Sequence, residues 1–201
     1  KAFRYIFSTG IGAGVWTSAP SVPQAIGEVA AGVIDGVLYM VGSNATTYAY
    51  DLATETWQTV APRPLVGDHH AAEVINGKLY LFGGLGGSSE GQVQIFNPAT
   101  NSWSLGAPAP FATGSAATAL INGLVYMAGG IAGNATVNFA AVYNAATNTW
   151  SPIANMPAAR NYAAAGTDGQ RLFIFGGRGP GSGDGNVVAE GFDDLQIYDP
   201  G

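Results

Sequence analysis

The chain has 201 residues, a formal net charge of −6 and no cysteine; charged residues make up 10% of it and hydrophobic residues 47%. This composition excludes a disordered chain, a disulfide framework, cysteine-bound metal and thiol catalysis. The seven lysine and arginine residues are scattered, and no apolar run approaches the roughly 18 residues of a membrane span, so we expect neither a nucleic-acid partner nor membrane insertion. The scarcity of lysine favours an extracellular or cell-envelope location.

In chain order, one pattern recurs four times: an Asx-Gly turn, a run of aliphatic and aromatic residues, and a Gly-Gly or Gly-Ser pair. The four copies span residues 34–43, 75–84, 121–130 and 167–177. Their turn glycines are 41, 46 and 46 residues apart, and the four tryptophans of the chain are 41, 46 and 47 residues apart. Because two independent markers share one period, the sequence predicts a repeat architecture.

The copy at residues 68–103 shows which strands and turns the sequence of each repeat predicts. Asn76-Gly77 is typical of a tight hairpin turn, because a type I′ turn needs a positive φ at both central residues. In the strand after this turn, leucines alternate with aromatic residues, so both faces are apolar and the sheet is expected to lie between two neighbours. A third strand ends at Phe96, and Trp103, seven residues later, opens a fourth. Each period therefore predicts four short antiparallel strands.

Paired glycines after an apolar strand, an aromatic residue seven positions before a tryptophan, and a proline after that tryptophan resemble the kelch repeat. The residues that carry the resemblance are Gly83, Gly84, Gly129, Gly130, Gly176, Gly177, Trp16, Trp57, Trp103 and Trp150. The kelch family forms β-propellers. The resemblance therefore implies an all-β fold, a kelch-type β-propeller of four-stranded antiparallel blades, with about four blades represented here. The first copy departs from the pattern, with Gly42-Ser43 in place of two glycines.

We expect one propeller domain over residues 1–201, cut inside a repeat at both ends. The expected divisions are a partial blade at 1–23, blades at about 24–65, 66–111 and 112–158, and a partial blade at 159–201. By analogy with the other repeats, a tryptophan is expected four residues after Gly201. We expect the segment to belong to a larger propeller with additional blades; closure of four blades within this chain is the alternative.

Candidate functional residues lie on one face of the predicted propeller. That face carries the links between blades and the loops between second and third strands, which span 8, 13, 14 and 22 residues in the four repeats, counted from the first residue of each Gly pair. Loops on a rigid scaffold commonly carry binding function. The candidate ligand-binding residues are Asp68, His69, His70, Arg160, Arg178, Asp184, Asn186 and Glu190.

For several conspicuous residues, a structural role or chance occurrence is the favoured interpretation. For His69 and His70, each taken alone, a structural role is favoured, because adjacent side chains on a strand point to opposite faces and no third ligand follows in a recognisable spacing. Asp184 and Asn186 offer oxygen ligands for calcium, but their spacing does not match a calcium-binding loop, so no metal site is predicted. Asn44 and Asn134 begin glycosylation sequons, which we attribute to chance in a chain rich in asparagine and threonine.

The sequence contains no Gly-x-Ser-x-Gly elbow, phosphate-binding loop or His-Glu-x-x-His motif. The resemblance also implies kinship with galactose oxidase, whose copper site includes a cysteine-linked tyrosine that a chain without cysteine cannot build. We therefore predict a non-catalytic module, with no cofactor, that recognises a protein or a glycan through its loop-rich face.

Two alternatives stay open. One is a carbohydrate-active kelch enzyme of the epimerase or oxidase-like kind, in which Arg160, His70 and Glu190 would do acid-base work. The other is a structural subunit of an extracellular assembly or filament, since low charge and small residues suit extensive contact and self-assembly.

Overall fold

The structure of the chain is a computed structural model, and it describes residues 2–5, 16–86, 88–111, 113–180 and 191–201. The strands are, in chain order, β1 (Ala2–Tyr5), β2 (Trp16–Ala19), β3 (Ala30–Ile34), β4 (Val37–Val41), β5 (Thr47–Asp51), β6 (Thr56–Val60), β7 (Ala71–Ile75), β8 (Lys78–Phe82), β9 (Val93–Asn97), β10 (Ser102–Leu105), β11 (Ala117–Ile121), β12 (Leu124–Ala128), β13 (Ile131–Ala132), β14 (Ala135–Thr136), β15 (Ala140–Asn144), β16 (Thr149–Pro152), β17 (Ala164–Thr167), β18 (Leu172–Phe175) and β19 (Leu195–Tyr198). A 3-10 turn, Pro98–Thr100, precedes β10. Within the described ranges, no helix has the length and apolar character that a membrane crossing requires.

The strands form a series of antiparallel sheets in the order of the sequence. The N-terminal sheet pairs β1 with β2, the first sheet holds β3 to β6, and the second holds β7 to β10. The third sheet holds β11, β12, β15 and β16, with the β13–β14 hairpin in its second-to-third loop, and the fourth holds β17 to β19. These sheets confirm the predicted all-β fold of four-stranded antiparallel blades with partial blades.

Three of the four first-to-second-strand hairpins have the predicted turn. Both central residues lie in the left-handed region, at Asp35-Gly36, Asn76-Gly77 and Asn122-Gly123, as a type I′ turn requires. The fourth hairpin differs because four residues, rather than two, separate its last paired residues. Thr167 pairs with Leu172, and the Asp168 carboxylate accepts hydrogen bonds from the backbone N–H groups of the two residues that precede Leu172.

Apolar side chains pack between consecutive sheets, as the alternation in β8 predicts. Leu79 and Leu81 face the first sheet, and Tyr80 and Phe82 face the third. Three buried clusters result, one at each interface between neighbouring four-stranded or three-stranded sheets. The core of this protein is therefore a row of inter-sheet layers rather than one central cluster.

Each fourth-strand tryptophan ties its sheet to the preceding one. The indole N–H groups of Trp57, Trp103 and Trp150 donate to the carbonyl oxygens of Pro20, Ala61 and Ala107, at 3.0, 2.9 and 2.9 Å. Each acceptor lies four residues after the tryptophan of the preceding repeat. Each indole also packs against the aromatic residue opposite it on the third strand, with ring centroids 4.8 to 5.2 Å apart.

The glycine pairs allow the chain to pass close to the link that follows. Gly84 and Gly130 donate their N–H groups to the carbonyl oxygens of Thr113 and Arg160, at 3.1 and 2.8 Å. A Cβ atom at Gly83 or Gly129, the first residue of each pair, would overlap the same two oxygens. The pairs therefore fix the distance between each sheet and the link that leads to the next sheet.

Candidate functional site

The links that enter successive first strands converge on one face of the protein. Each link contains one non-glycine residue in the left-handed region, with φ between 51° and 54°: Glu28, His69, Ser115 and Tyr162. These residues are 41, 46 and 47 residues apart, the same spacings as the tryptophans. Four different side chains thus occupy one equivalent and unusual backbone position.

Backbone hydrogen bonds hold three of these links together. Ser115 donates its N–H to the carbonyl oxygen of His69 at 2.9 Å, and Tyr162 donates its N–H to that of Ser115 at 3.1 Å. Backbone hydrogen bonds therefore set the positions of these three links relative to one another.

In the last three links, the residue before the left-handed position pairs with the residue that follows a glycine pair. Asp68 bridges to Leu85, Gly114 to Ile131 and Asn161 to Arg178, each through two backbone hydrogen bonds of 2.7 to 3.0 Å. These bridges attach each link to the second-to-third loop of its own sheet. As a result, the side chain of Arg178 comes to lie beside Tyr162.

His69 lies at the centre of a polar group that we call the link cluster, which comprises Glu28, Asp68, His69, Tyr162 and Arg178. The Nδ1 atom of His69 is 2.7 Å from a carboxylate oxygen of Asp68, and its Nε2 atom is 3.1 Å from one of Glu28. The hydroxyl oxygen of Tyr162 is also 3.1 Å from Nε2. The side chain of His69 is 13% exposed and that of Glu28 is 54% exposed. The imidazole is therefore largely buried, while the carboxylate of Glu28 is open to solvent.

Tyr162 joins the two sides of the link cluster. Its ring meets the imidazole of His69 edge-on, with centroids 5.1 Å apart, and the guanidinium carbon of Arg178 lies 4.9 Å from the centre of the tyrosine ring. Arg178 itself is exposed. The link cluster therefore presents two carboxylates and one guanidinium around a half-buried histidine and tyrosine, with charges of both signs within one patch.

His70 points away from the link cluster and binds a buried arginine. Arg63 donates through Nη1 to Nε2 of His70 at 2.9 Å and through Nε to the carbonyl oxygen of Asn44 at 2.9 Å. Its Nη2 atom donates to the carbonyl oxygens of Gly42 and Gly67. Burial, and after it the nearby positive charges, lowers the pKa of His70 to about 3, so this ring is neutral at physiological pH and can accept from Arg63. Burial also lowers the pKa of Arg63, to about 10.

Arg160 is a second buried arginine, only 1% exposed. Its Nη2 atom donates to both carboxylate oxygens of Asp194 at 2.8 and 2.9 Å, and its Nη1 atom donates to the carbonyl oxygen of Gly176 at 3.1 Å. The hydrogen bonds from Arg160 lower the pKa of Asp194. The guanidinium carbon also lies 4.1 Å from the centre of the Phe192 ring. Arg160 therefore braces the end of the last second-to-third loop from inside.

The structure brings some of the predicted site residues together and separates others. Asp68, His69 and Arg178 lie in the link cluster, whereas His70 and Arg160 belong to two buried arginine networks. Asp184, Asn186 and Glu190 lie outside the described residues. In the parts of the chain that the structure describes, no three histidine, aspartate or glutamate side chains are grouped so as to hold a metal ion.

The candidates from sequence reasoning leave out Glu28, Tyr162 and Arg63. Glu28 and Tyr162 carry a sequence signal that could have identified them, since they lie at the tryptophan spacing from His69. Arg63 lies between two prolines, and nothing in its neighbourhood of the sequence indicates that it is buried against carbonyl oxygens of two other segments.

The stacked four-stranded antiparallel sheets and the converging links define a β-propeller domain. The family model described as the KLHDC2/KLHL20/DRC7 Kelch-repeats domain matches residues 17–177. The chain belongs to this family of kelch-repeat domains, which confirms the resemblance drawn from its glycine pairs and tryptophans.

Individual relatives agree with this assignment. Kelch-like protein 15 of Danio rerio is 38% identical over 85 residues, and its Homo sapiens counterpart is 35% identical over 85 residues; each match covers 39% of this chain and 14% of the relative. The structure of YjhT matches 90% of this chain and 66% of its own, with a TM-score of 0.69 and 22% identity. At that identity the likeness shows the fold alone. The chain thus spans a small part of its curated relatives and less than two thirds of the YjhT chain.

Proposed function

We propose that this kelch domain is a non-catalytic protein-binding module and that the link cluster is the centre of its binding face. The observation that carries the proposal is the convergence of exposed Glu28, partly exposed Asp68 and exposed Arg178 around His69 and Tyr162. Membership of the kelch-repeat family supports a protein as the partner. Carboxylates and a guanidinium in one patch suit a polar protein surface with charges of both signs.

The way the cluster is built also supports binding. The backbone bonds between links, and the bridges to the second-to-third loops, hold the backbone of Asp68, His69, Tyr162 and Arg178 in place before any partner arrives. A preformed patch loses little conformational entropy on association, so more of its contact energy remains as affinity. Tyrosine and arginine are also the residue types that most often dominate the energetics of protein interfaces.

Site-specific photo-crosslinking tests the proposed face. A photoreactive amino acid is placed at Arg178 in one sample and at Ala99 in another, because Ala99 is an exposed residue in the β9–β10 turn on the opposite face. We expect a distinct protein adduct from position 178 and none from position 99. Equal adducts from both positions would contradict the proposal.

The partner identified in this way then allows a quantitative measurement. We expect the double substitution Glu28→Ala and Tyr162→Ala to weaken its binding about tenfold or more, which corresponds to about 1.4 kcal/mol. The matched control is Thr54→Ala, an exposed turn residue on the opposite face, which should leave affinity unchanged. A glycan array run on the wild-type chain and the double variant distinguishes a glycan ligand from a protein ligand.

A further inference from the structure

The two carboxylates of the link cluster have a histidine as their counter-ion. Among the described residues, neither Glu28 nor Asp68 forms an ion pair with a lysine or an arginine, and each pairs with His69. By contrast, Asp168 and Asp194 are paired with arginines. An arginine side chain stays charged in proteins, whereas a histidine gains or loses its charge with one proton. The carboxylates of the link cluster are therefore paired with a cation only while His69 is protonated.

The Nε2 atom of His69 has two neighbours that require different protonation states. Nδ1 lies 2.7 Å from Asp68, whose ionised carboxylate can only accept, so Nδ1 carries a hydrogen in both states. In the neutral ring, Nε2 has a lone pair that accepts from the hydroxyl of Tyr162 at 3.1 Å and repels the carboxylate of Glu28, also at 3.1 Å. In the charged ring, Nε2 carries a hydrogen and donates to Glu28. One proton therefore decides whether Glu28 is held by His69 or released.

The other groups near His69 leave this choice unchanged. The guanidinium of Arg178 lies over the ring of Tyr162, with its carbon 4.9 Å from the ring centre. His70 follows His69 in the chain, but its ring is neutral at physiological pH because burial lowers its pKa to about 3. The third link contributes Ser115, which is uncharged. Among the described residues, the charged and titratable groups of the link cluster that contact the imidazole are thus Glu28, Asp68 and Tyr162.

A further oxygen beside the link cluster lacks a hydrogen-bond partner. Ser115 occupies the left-handed position between those of His69 and Tyr162, and its N–H donates to the carbonyl oxygen of His69. Since these backbone positions are equivalent, its Cα–Cβ bond points in the same direction as theirs. Ser115 is 9% exposed, and its hydroxyl oxygen has no hydrogen-bond partner among the described residues. A ligand that carries N–H groups, or a water molecule that it orders, would satisfy this oxygen.

We propose that the link cluster binds a basic side chain, lysine or arginine, of the partner protein, and that protonation of His69 prevents this contact. The inference rests on the proposed function, because it names the chemistry of the partner at the same face. The incoming cation pairs with Glu28 and Asp68 in place of the protonated imidazole. The formal net charge of −6 also favours a basic partner.

The direction of the pH dependence follows from this competition. Binding of the cation favours the neutral ring, so it releases a proton from His69. The affinity therefore rises with pH while His69 loses its proton, by up to about tenfold per pH unit for one proton released. At lower pH the protonated imidazole pairs with Glu28 again, and the partner dissociates.

Two small peptides test the class of partner. Acetyl-Arg-Gly-Arg-amide and acetyl-Glu-Gly-Glu-amide are titrated separately into the chain at about pH 8 and about pH 5.5, a range in which histidine side chains generally change charge. Backbone amide NMR shifts report binding and confirm that the chain is folded at both pH values. We expect saturable binding of the arginine peptide at the higher pH, at least about tenfold tighter than at the lower pH, and no saturable binding of the glutamate peptide.

Substitutions separate the role of the carboxylate from that of the histidine. Glu28→Gln should weaken binding of the arginine peptide about fivefold or more at the higher pH. The matched control is Glu55→Gln, at an exposed glutamate with φ of 56° in a turn on the opposite face, which should leave the affinity unchanged. His69→Gln keeps both carboxylates but cannot become charged, so the ratio of affinities at the two pH values should fall below about threefold.

Several results would overturn the inference. They are no saturable binding of the arginine peptide, equal binding of the two peptides, equal affinity at both pH values, equal effects of Glu28→Gln and Glu55→Gln, and an unchanged pH ratio in His69→Gln. Photo-crosslinking from Arg178 decides the proposed function separately. A partner captured there whose binding responds neither to pH nor to His69→Gln would leave the binding face in place and refute its control by His69.

Discussion

At the scale of single residues, the two neighbouring histidines have opposite environments. His69 lies among carboxylates in the link cluster, while His70 accepts from Arg63 in a buried network. The left-handed backbone conformation of His69, with φ of 54°, lies between the two environments, although the histidines are adjacent in sequence. One histidine thus belongs to the link cluster, and the other secures the link that carries both.

The depressed pKa of His70 predicts a pH-dependent stability. The unfolded chain protonates this residue near its ordinary pKa of 6.5, whereas the folded chain does so near about 3. Between those values the unfolded state binds more protons, so the free energy of unfolding falls as the pH is lowered. The contribution of His70 has a slope of up to about 1.4 kcal/mol per pH unit.

Urea unfolding of the wild type and His70→Gln between about pH 7 and pH 4 checks this prediction. Glutamine keeps an acceptor for Arg63 but does not titrate, so the variant should lose less stability in acid. The difference between the two proteins is the relevant quantity, because burial raises the pKa of Glu73 and gives a slope of the opposite sign. Parallel curves for the two proteins would contradict the assigned role of His70.

At the scale of elements, glycine has two separable functions in each repeat. Gly123 lies in a hairpin turn with φ of 78°, and a Cβ atom there would meet nothing within 4 Å. Gly129 has a similar φ of 70°, but a Cβ atom there would overlap the backbone carbonyl of Arg160. Gly123 is therefore needed for the backbone conformation of the turn, whereas Gly129 is also needed for the close approach between its sheet and the link that follows.

Alanine substitutions should separate these functions. Gly123→Ala should cost about 1 kcal/mol, the penalty for a left-handed residue that carries a Cβ atom. Gly129→Ala should cost about 2 kcal/mol more, because the opposing atom is backbone and cannot move aside easily. Chemical denaturation of both variants measures the difference, and equal losses would show that the close approach is not constrained.

The elements also show how far the sequence could predict this protein. The Asx-Gly turns, the alternation in β8 and the repeated tryptophans specify strands, register and interfaces, since each is a local pattern with a direct conformational meaning. The link cluster could be predicted only in part. Asp68, His69 and Arg178 are chemically conspicuous, but Glu28 and Tyr162 reach His69 through the meeting of links that lie far apart in sequence.

The buried arginines show a second limit of sequence reasoning. Besides Asp194 and His70, the partners of Arg160 and Arg63 are backbone carbonyl oxygens, which every residue possesses, so those partners leave no signature in the amino-acid pattern. An arginine next to a variable loop, such as Arg160, is then easily interpreted as a ligand-binding residue. Which arginine is exposed, as Arg178 is, depends on the path of the chain.

At the scale of the whole 201-residue chain, stability is expected to vary from sheet to sheet. The second sheet packs against neighbours on both faces, whereas the fourth has three described strands and packs against the third sheet on one face. Phe175 of the fourth sheet is 48% exposed, while its equivalent Phe82 in the second is 1% exposed. In repeat architectures, stability depends on such nearest-neighbour interfaces.

Native-state hydrogen exchange tests this gradient. The amides of β8, Lys78–Phe82, should exchange about tenfold or more slowly than those of β18, Leu172–Phe175, although both are second strands of their sheets. A uniform exchange rate in the two strands would instead indicate that the described sheets open as one cooperative unit.

The tryptophan hydrogen bonds have a direction along the chain. Each indole donor follows its carbonyl acceptor in the sequence, by 37, 42 and 43 residues for Trp57, Trp103 and Trp150. While a ribosome synthesises the chain, every acceptor has therefore already emerged when its tryptophan appears. Each repeat can therefore form its indole hydrogen bond to the preceding repeat before later sequence is synthesised. A force that pulls from the C-terminus is expected to break these hydrogen bonds in the reverse order of their synthesis.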